Sequence, residues 1–288
     1  MTFRVLLLLA TATVAMTLPA KTIEVHGHRG ARMVMPENTL PGFAYAAENG
    51  ADFFEIDTWV TKDHVVVVAH DAAMNLKHCK GPSPDAERTI RNMTFAELRK
   101  WDCGVANPDW PKQKAIPHTP VPTLDEVFGL LKKYPKVSIN LEIKSNPKRP
   151  ELQPAPNVYA KMIVDAIRKH KAEKRVLVQS FDFAPLIEVG KLNPKLALSA
   201  LYPGGGADKT KDFVTVAKEA GNTGSVSMQL SVVTPEKVKQ AHEARIRVLA
   251  WTANTRNEWQ QLIAAGVDGI ITDDPAGLIA YLKEQKLR

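Results

Sequence analysis

A TIM-type (β/α)8 barrel with a small insertion after the second strand is the fold this sequence predicts, on three observations. From Thr22 onward, short apolar runs alternate with amphipathic helical stretches, the pattern of a parallel sheet wrapped by helices. The expected barrel strands number eight: Thr22–His26, Phe53–Thr58, Val137–Ile143, Val176–Ser180, Leu196–Leu201, Ser225–Leu230, Arg247–Thr252 and Gly269–Thr272. The 288-residue chain also has the length of one such barrel, about 250 residues, once its first residues are set aside.

Those first residues, 1–20, read as a secretory signal. Arg4 is the positive start, Val5–Ala15 the apolar stretch, and Pro19-Ala20 a small-residue cut before Lys21. The apolar stretch is too short for a transmembrane helix, and no cysteine near the cut offers a lipid anchor. The expectation is an exported chain, periplasmic or secreted, with residues 21–288 forming a single domain without stable membrane insertion. Losing Arg4 takes the formal charge from +7 to +6 (7 minus 1).

His28-Arg29-Gly30 follows the first strand at the carboxyl end, where barrel enzymes place their chemistry. The histidine exchanges protons near neutral pH, the arginine fork matches phosphate oxygens, and the glycine permits a sharp turn. His26 reads as structural. Pro36-Glu37-Asn38-Thr39 opens the first helix, Leu40–Asn49, with Asn38 or Thr39 as its cap and Glu37 free to orient Arg29 from behind or to reach a metal.

The second strand carries Glu55 and Asp57 two residues apart, so both carboxylates share one face. Two acids there repel unless something positive lies between them. An oxygen-preferring divalent cation, Ca²⁺, Mg²⁺ or Mn²⁺, answers this; pairing with a nearby base is the plainer alternative. Only six residues separate Thr58 from the run Val65–Ala69, too few for a parallel crossover of a dozen or more. That run is expected to return antiparallel through a turn near Lys62-Asp63, bringing His70-Asp71 back beside Glu55 and Asp57.

Residues 72–121 fit neither helix nor strand over most of their length and hold six prolines, Pro82, Pro84, Pro108, Pro111, Pro117 and Pro120, with Pro122 just beyond them and a short helix at Thr94–Trp101. A loop this long belongs beside an active-site mouth. Cys79 and Cys103 both lie in it, and an even pair in an exported chain points to a disulfide, two buried thiols being the alternative. Thr94-Phe95-Ala96-Glu97 and Thr123-Leu124-Asp125-Glu126 both match capping boxes.

The third barrel strand repeats the acidic pattern. Asn140, Glu142 and Lys144 share one face, giving a third carboxylate with a lysine beside it. Helices are expected at Asn157–Lys169, Pro235–Ala244 and Glu258–Ala265. Trp251 ends the seventh strand, either as a wall of the pocket or as a core side chain. Gly204-Gly205-Gly206 lacks the strand and helix context of a phosphate loop and reads as a flexible loop. Asp273 and Asp274 are explained by helix capping ahead of Pro275. The pI near 9.3 attracts anions, but the basic residues are scattered and no nucleic-acid-binding signature is present, so nucleic acid is not an expected partner.

Taken in order, these motifs resemble the glycerophosphodiester phosphodiesterase family. The matching stretches are His28-Arg29-Gly30, Pro36-Glu37-Asn38-Thr39, Glu55-Ile56-Asp57, Thr61-Lys62-Asp63, His70-Asp71, Pro122-Thr123-Leu124-Asp125-Glu126, Asn140-Leu141-Glu142-Ile143-Lys144, Trp251-Thr252 and Gly269-Ile270-Ile271-Thr272-Asp273. The resemblance implies a divalent metal, often Ca²⁺ or Mg²⁺, and hydrolysis of small glycerophosphodiesters to glycerol 3-phosphate and an alcohol. Carried over by position, His28 and His70 are the acid–base pair, and Glu55, Asp57 and Glu142 the metal ligands. Arg29 and Lys144 are then phosphate ligands. The chain departs from the family pattern in its insertion, at His78-Cys79-Lys80-Gly81 and Cys103, which bears on head-group preference. The rival readings are a lysophospholipase D or sphingomyelinase D-like enzyme, and an exported glycerophosphodiester-binding protein without turnover.

Overall fold

A computed structural model describes residues 22–205 and 211–288; the expected signal segment 1–20 and Gly206 of the triple glycine lie outside the described residues. Nine strands form one sheet: β1 (Glu24–Gly27), β2 (Phe53–Val60), β3 (Val66–Val68), β4 (Ser138–Ile143), β5 (Val176–Ser180), β6 (Ala197–Tyr202), β7 (Ser225–Gln229), β8 (Arg247–Trp251) and β9 (Gly269–Thr272). All but β3 run parallel, and β1 pairs with both β2 and β9, which closes the barrel. The expected fold class is thus the observed one, with strand ends displaced by one or two residues. The largest displacements, of two residues, are at the start of β1, which begins at Glu24, and at the end of β2, which runs on to Val60.

The helices are α1 (Leu40–Glu48), α2 (Phe95–Leu98), α3 (Leu124–Leu131), α4 (Pro156–Lys169), α5 (Phe183–Leu192), α6 (Phe213–Glu219), α7 (Pro235–Glu243), α8 (Arg256–Ala265) and α9 (Pro275–Glu284). Local chemistry starts them. Thr94, Thr123 and Thr255 each close a capping box with Glu97, Glu126 and Glu258, satisfying two orphan N–H groups at a time. Thr39, not Asn38, caps α1, accepting from Gly42 N–H. Between helices and strands lies the main core. Phe43, Phe54, Phe128, Ile139 and Leu141 are fully buried there, each contributing about 2 kcal/mol of burial free energy. Among the described residues no helix is long and apolar enough to cross a membrane.

β3 returns antiparallel on β2, with Thr58 opposite Val68 and Val60 opposite Val66. The Thr61 hydroxyl ties the turn by donating to Asp63 Oδ1 at 2.6 Å and accepting from Val65 N–H at 3.0 Å. Two bonds then deliver the chain to the barrel mouth: Ala69 N–H donates to Asp57 O at 3.0 Å, and Trp59 Nε1–H to His70 O at 2.9 Å. The stretch after His70 packs against β2 and β3 in a second small core of Trp59, Val67, Met74, Ile90, Leu98 and Trp101, closed by a Cys79–Cys103 disulfide.

Candidate active site

Strand register brings the acids together. Asp57 and Glu142 are partners across β2 and β4, and Glu55 precedes Asp57 on the same inward face. One oxygen from each of the three buried carboxylates lies within 4.8 Å of the others. Burial, then repulsion from Asp57 and Glu142, pushes Glu55 far above the ordinary carboxylate range. Burial likewise pushes Glu142 up to about 7 even with Lys144 beside it. For Asp57 burial also acts upward, but Lys144, His70 and Arg29 outweigh it and hold the group far below its usual value. Asn38 adds to that hold by donating to Asp57 Oδ2 at 2.8 Å. The cluster therefore carries more potential negative charge than its neighbours neutralise. Three buried hard oxygen donors in that state fit a divalent cation such as Ca²⁺ or Mg²⁺.

Basic side chains ring the acids. Lys144 Nζ lies 3.0 Å from Glu142 Oε1 and 3.2 Å from Asp57 Oδ1. Arg29 sits at the sharp turn after β1, with φ of 50° there and 91° at Gly30. A Cβ at Gly30 would meet the Gly42 carbonyl carbon at 2.8 Å, so only glycine fits. The turn aims the Arg29 N–H at Glu55 Oε2, 2.9 Å away, and lets Arg29 Nη1 donate to Glu37 Oε1 at 2.8 Å. Glu37 is thus behind the arginine and orients it. Gln179 donates to Glu55 Oε1 at 3.3 Å and accepts from Ser227 at 3.0 Å, making a polar floor across the barrel interior.

Both histidines are oriented in the same way. His28 Nδ1 lies 2.6 Å from Asp273 Oδ1, and His70 Nδ1 lies 2.7 Å from Asp71 Oδ1. Burial would raise Asp273, but His28 holds it below the usual range, and the bond to His70 holds Asp71 down at about 2. Ionised carboxylates only accept, so each Nδ1 carries a proton, which leaves each Nε2 as the nitrogen that can exchange one. His28 Nε2 lies 4.0 Å from Glu55 Oε2. Burial lowers the His28 pKa against the opposing pull of Asp273, which favours the neutral ring.

One cleft at the carboxyl end of the strands unites His28, Arg29, Glu55, Asp57, His70, Glu142, Lys144 and Trp251. Trp251 is a wall of that cleft: its Nε1–H is held by Ser227 O at 3.0 Å and its ring meets Phe181 edge-on at 5.4 Å. His26 lies one layer below, buried and stacked on Phe53 at 4.1 Å, a structural side chain.

The capping explanation of Asp273 is overturned. Asp274 alone caps α9, accepting from Gly277 N–H at 2.9 Å, whereas Asp273 takes His28, Asn254 Nδ2 at 2.7 Å and Arg32 Nε at 3.1 Å. Its place at the carboxyl end of a barrel strand was the available signal. Asn38, Gln179 and Arg32 showed no such signal, because Asp57, Glu55 and Asp273, which they meet, lie far from them in the chain.

Comparison with known proteins agrees with this geometry. The sequence profile of the glycerophosphoryl diester phosphodiesterase family matches residues 28–277. A glycerophosphodiester phosphodiesterase of Caldanaerobacter subterraneus is 31% identical over 264 residues, covering 92% of this chain and 99% of that protein. The crystal structure of a Silicibacter pomeroyi protein assigned as a glycerophosphoryl diester phosphodiesterase superimposes with a TM-score of 0.84 at 32% identity, covering 92% of this chain and 95% of that one. An Oleispira antarctica phosphodiesterase, solved with the product sn-glycerol-3-phosphate, shares the fold with a TM-score of 0.74 at 21% identity, over 91% of this chain and 97% of that one. The chain belongs to the glycerophosphoryl diester phosphodiesterase family, and it is a phosphoric diester hydrolase.

Proposed function

We propose that this enzyme hydrolyses glycerophosphodiesters to glycerol 3-phosphate and the head-group alcohol, with His28 and His70 handling the proton. The observation that carries the reading is the meeting, in one cleft, of three buried carboxylates within 4.8 Å and two imidazoles each oriented by its own aspartate. The product bound to the Oleispira protein supports the same substrate class here.

Glu55, Asp57 and Glu142 would hold the divalent cation, Ca²⁺ or Mg²⁺, which when bound acts as a Lewis acid on a phosphoryl oxygen. Arg29 and Lys144 offset the charge that builds on phosphorus in the transition state. Glu37 keeps the Arg29 fork aimed while it does so. His28, neutral and with Nδ1–H committed to Asp273, takes the proton of the attacking oxygen at Nε2. His70, held through Nδ1 by Asp71, gives a proton to the leaving alcohol. Trp251 and Phe181 wall the carbon backbone of the substrate. We place the enzyme outside the cytoplasm, periplasmic or secreted, a reading the disulfide supports because such bonds persist in oxidising compartments.

The test is an incubation of purified protein with glycerophosphocholine and with lysophosphatidylcholine, each with and without EDTA, following glycerol 3-phosphate and choline. EDTA-sensitive release of glycerol 3-phosphate from glycerophosphocholine is the expected result. Choline release from the lyso-lipid alone would make the enzyme a lysophospholipase D instead.

A further inference from the structure

The Cys79–Cys103 disulfide plays no part in the chemistry above, yet it lies against the site. It joins points 24 residues apart, and both half-cystines are buried in the second small core. Around it the backbone pairs: Lys80 and Asp102 exchange N–H···O bonds of 2.7 and 3.0 Å, and Cys103 N–H donates to Thr119 O at 2.8 Å. The cross-link thereby pins the turn Asn75–Cys79 to the far arm of the insertion.

Two side chains of that turn reach the site. Asn75 Nδ2 donates at 2.9 Å to Asp71 Oδ2, on the carboxylate that holds His70. His78 Nε2 lies 3.8 Å from Glu37 Oε1, the same oxygen that accepts from Arg29 Nη1 at 2.8 Å. His78 Nδ1 is buried with no hydrogen-bond partner among the described residues, and Glu37 is the carboxylate within ion-pair distance of its Nε2. Glu37, His70, His78 and both cysteines wall one small cavity behind the cleft, which puts the disulfide within packing distance of the residues that orient the site.

We propose that His78, anchored by the disulfide, is a positioning residue: it steadies Glu37 and through it Arg29, so the cross-link sets how tightly the substrate phosphate is held. This rests on the reading of Arg29 as a phosphate ligand. Without the ring, Glu37 Oε1 keeps Arg29 but loses its second partner, with Arg32 Nη1 still 3.8 Å from Oε2, and the guanidinium that Oε1 holds samples orientations that miss the phosphate. A loss of this kind falls on binding rather than on proton transfer, because His28 and His70 keep their own aspartates.

The test is steady-state kinetics of the full chain on glycerophosphocholine at saturating Mg²⁺, with thermal unfolding as the check that each variant is folded. His78→Ala is expected to raise KM by about threefold to thirtyfold, with kcat changed far less. His78→Gln, which keeps an N–H facing Glu37, recovers most of the loss. The double variant Cys79→Ser/Cys103→Ser raises KM as His78→Ala does, and adding His78→Ala to it raises KM no further. In an Arg29→Lys background His78→Ala has no additional effect, since the group it positions is gone. An unchanged KM in His78→Ala, or an effect fully retained beside Arg29→Lys, overturns the proposal; the two His78 variants decide it even if the cysteine variant fails to fold. Arg29→Lys with unchanged KM would sink the phosphate reading along with this one. Raised KM in Arg29→Lys with a silent His78→Ala sinks this one alone.

Discussion

His28 Nδ1 and Asp273 Oδ1 lie 2.6 Å apart although they stand 245 positions apart in the chain. The closing pair of strands, β1 on β9, makes the contact, with His26 opposite Ile271 and Gly27 opposite Thr272. The carboxylate fixes which ring nitrogen keeps its proton, and so which one faces the cleft.

Asp273→Asn tests that relationship. An amide presents a donor as well as an acceptor, so the imidazole is no longer held to one tautomer. The expected result is a fall in kcat of about two to four orders of magnitude, with the thermal midpoint little changed. A variant with near-normal kcat would show that Asp273 serves only to pack the turn.

His28→Ala and His70→Ala each remove one end of the proposed proton path. Single-turnover rates are expected to fall by about 10² to 10⁴ in either variant. The double variant is expected to lose little more than the worse single one, because residues acting as a unit are not additive. Nearly full turnover in either single variant ends the assignment of that histidine.

Removing the cation should expose the excess charge of the acid cluster. In the ion-free protein Glu142 is raised to about 7 and Glu55 lies well above its ordinary value of 4.5. These two groups then bind more protons in the folded chain than in the unfolded one between about pH 4.5 and 7, so their contribution to the unfolding free energy falls as pH rises through that window. Their protonated forms stabilise fully below it. A cation competes with those protons, so the Tm gain on adding Mg²⁺ or Ca²⁺ to EDTA-treated protein is expected to be small near about pH 5 and large near about pH 8. A gain that does not change with pH would show that the carboxylates are not the ligands.

Gly27→Ala probes the approach of the turn to the strand. An added Cβ would stand 2.1 Å from Gly30 O, a backbone atom with nowhere to go, and 3.1 Å from the Ala46 Cβ. Moving Gly30 moves His28 and Arg29 with it. The expected outcome is a loss of about 1–3 kcal/mol in unfolding free energy, read by urea titration, with a larger proportional loss of kcat/KM. Activity unchanged despite the destabilisation would mean that the turn need not be held this tightly.

Much of the fold was legible because it is written locally. Alternating apolar runs mark the strands, Thr94 and Thr123 with their glutamates mark two helix starts, and six residues between Thr58 and Val65 leave room only for a hairpin. Glu55, Asp57, Glu142 and Lys144 were legible for the same reason, since side chains two apart on a strand share a face. Trp251 was undecided because a strand-end aromatic suits a core or a wall equally until its neighbours are known.

By itself the sequence determined the kind of barrel, the sheet face on which each acid sits, and the arrival of two histidines at the carboxyl ends of strands. Tertiary structure alone decided who meets whom. The parallel register sets Asp57 beside Glu142, barrel closure gives His28 its aspartate, and the packed insertion brings His78 to Glu37. The physical reason is range. Propensity and alternation act over a few residues, whereas these contacts join residues tens to hundreds apart, and only packing of the whole core selects among the registers that would serve each strand alone.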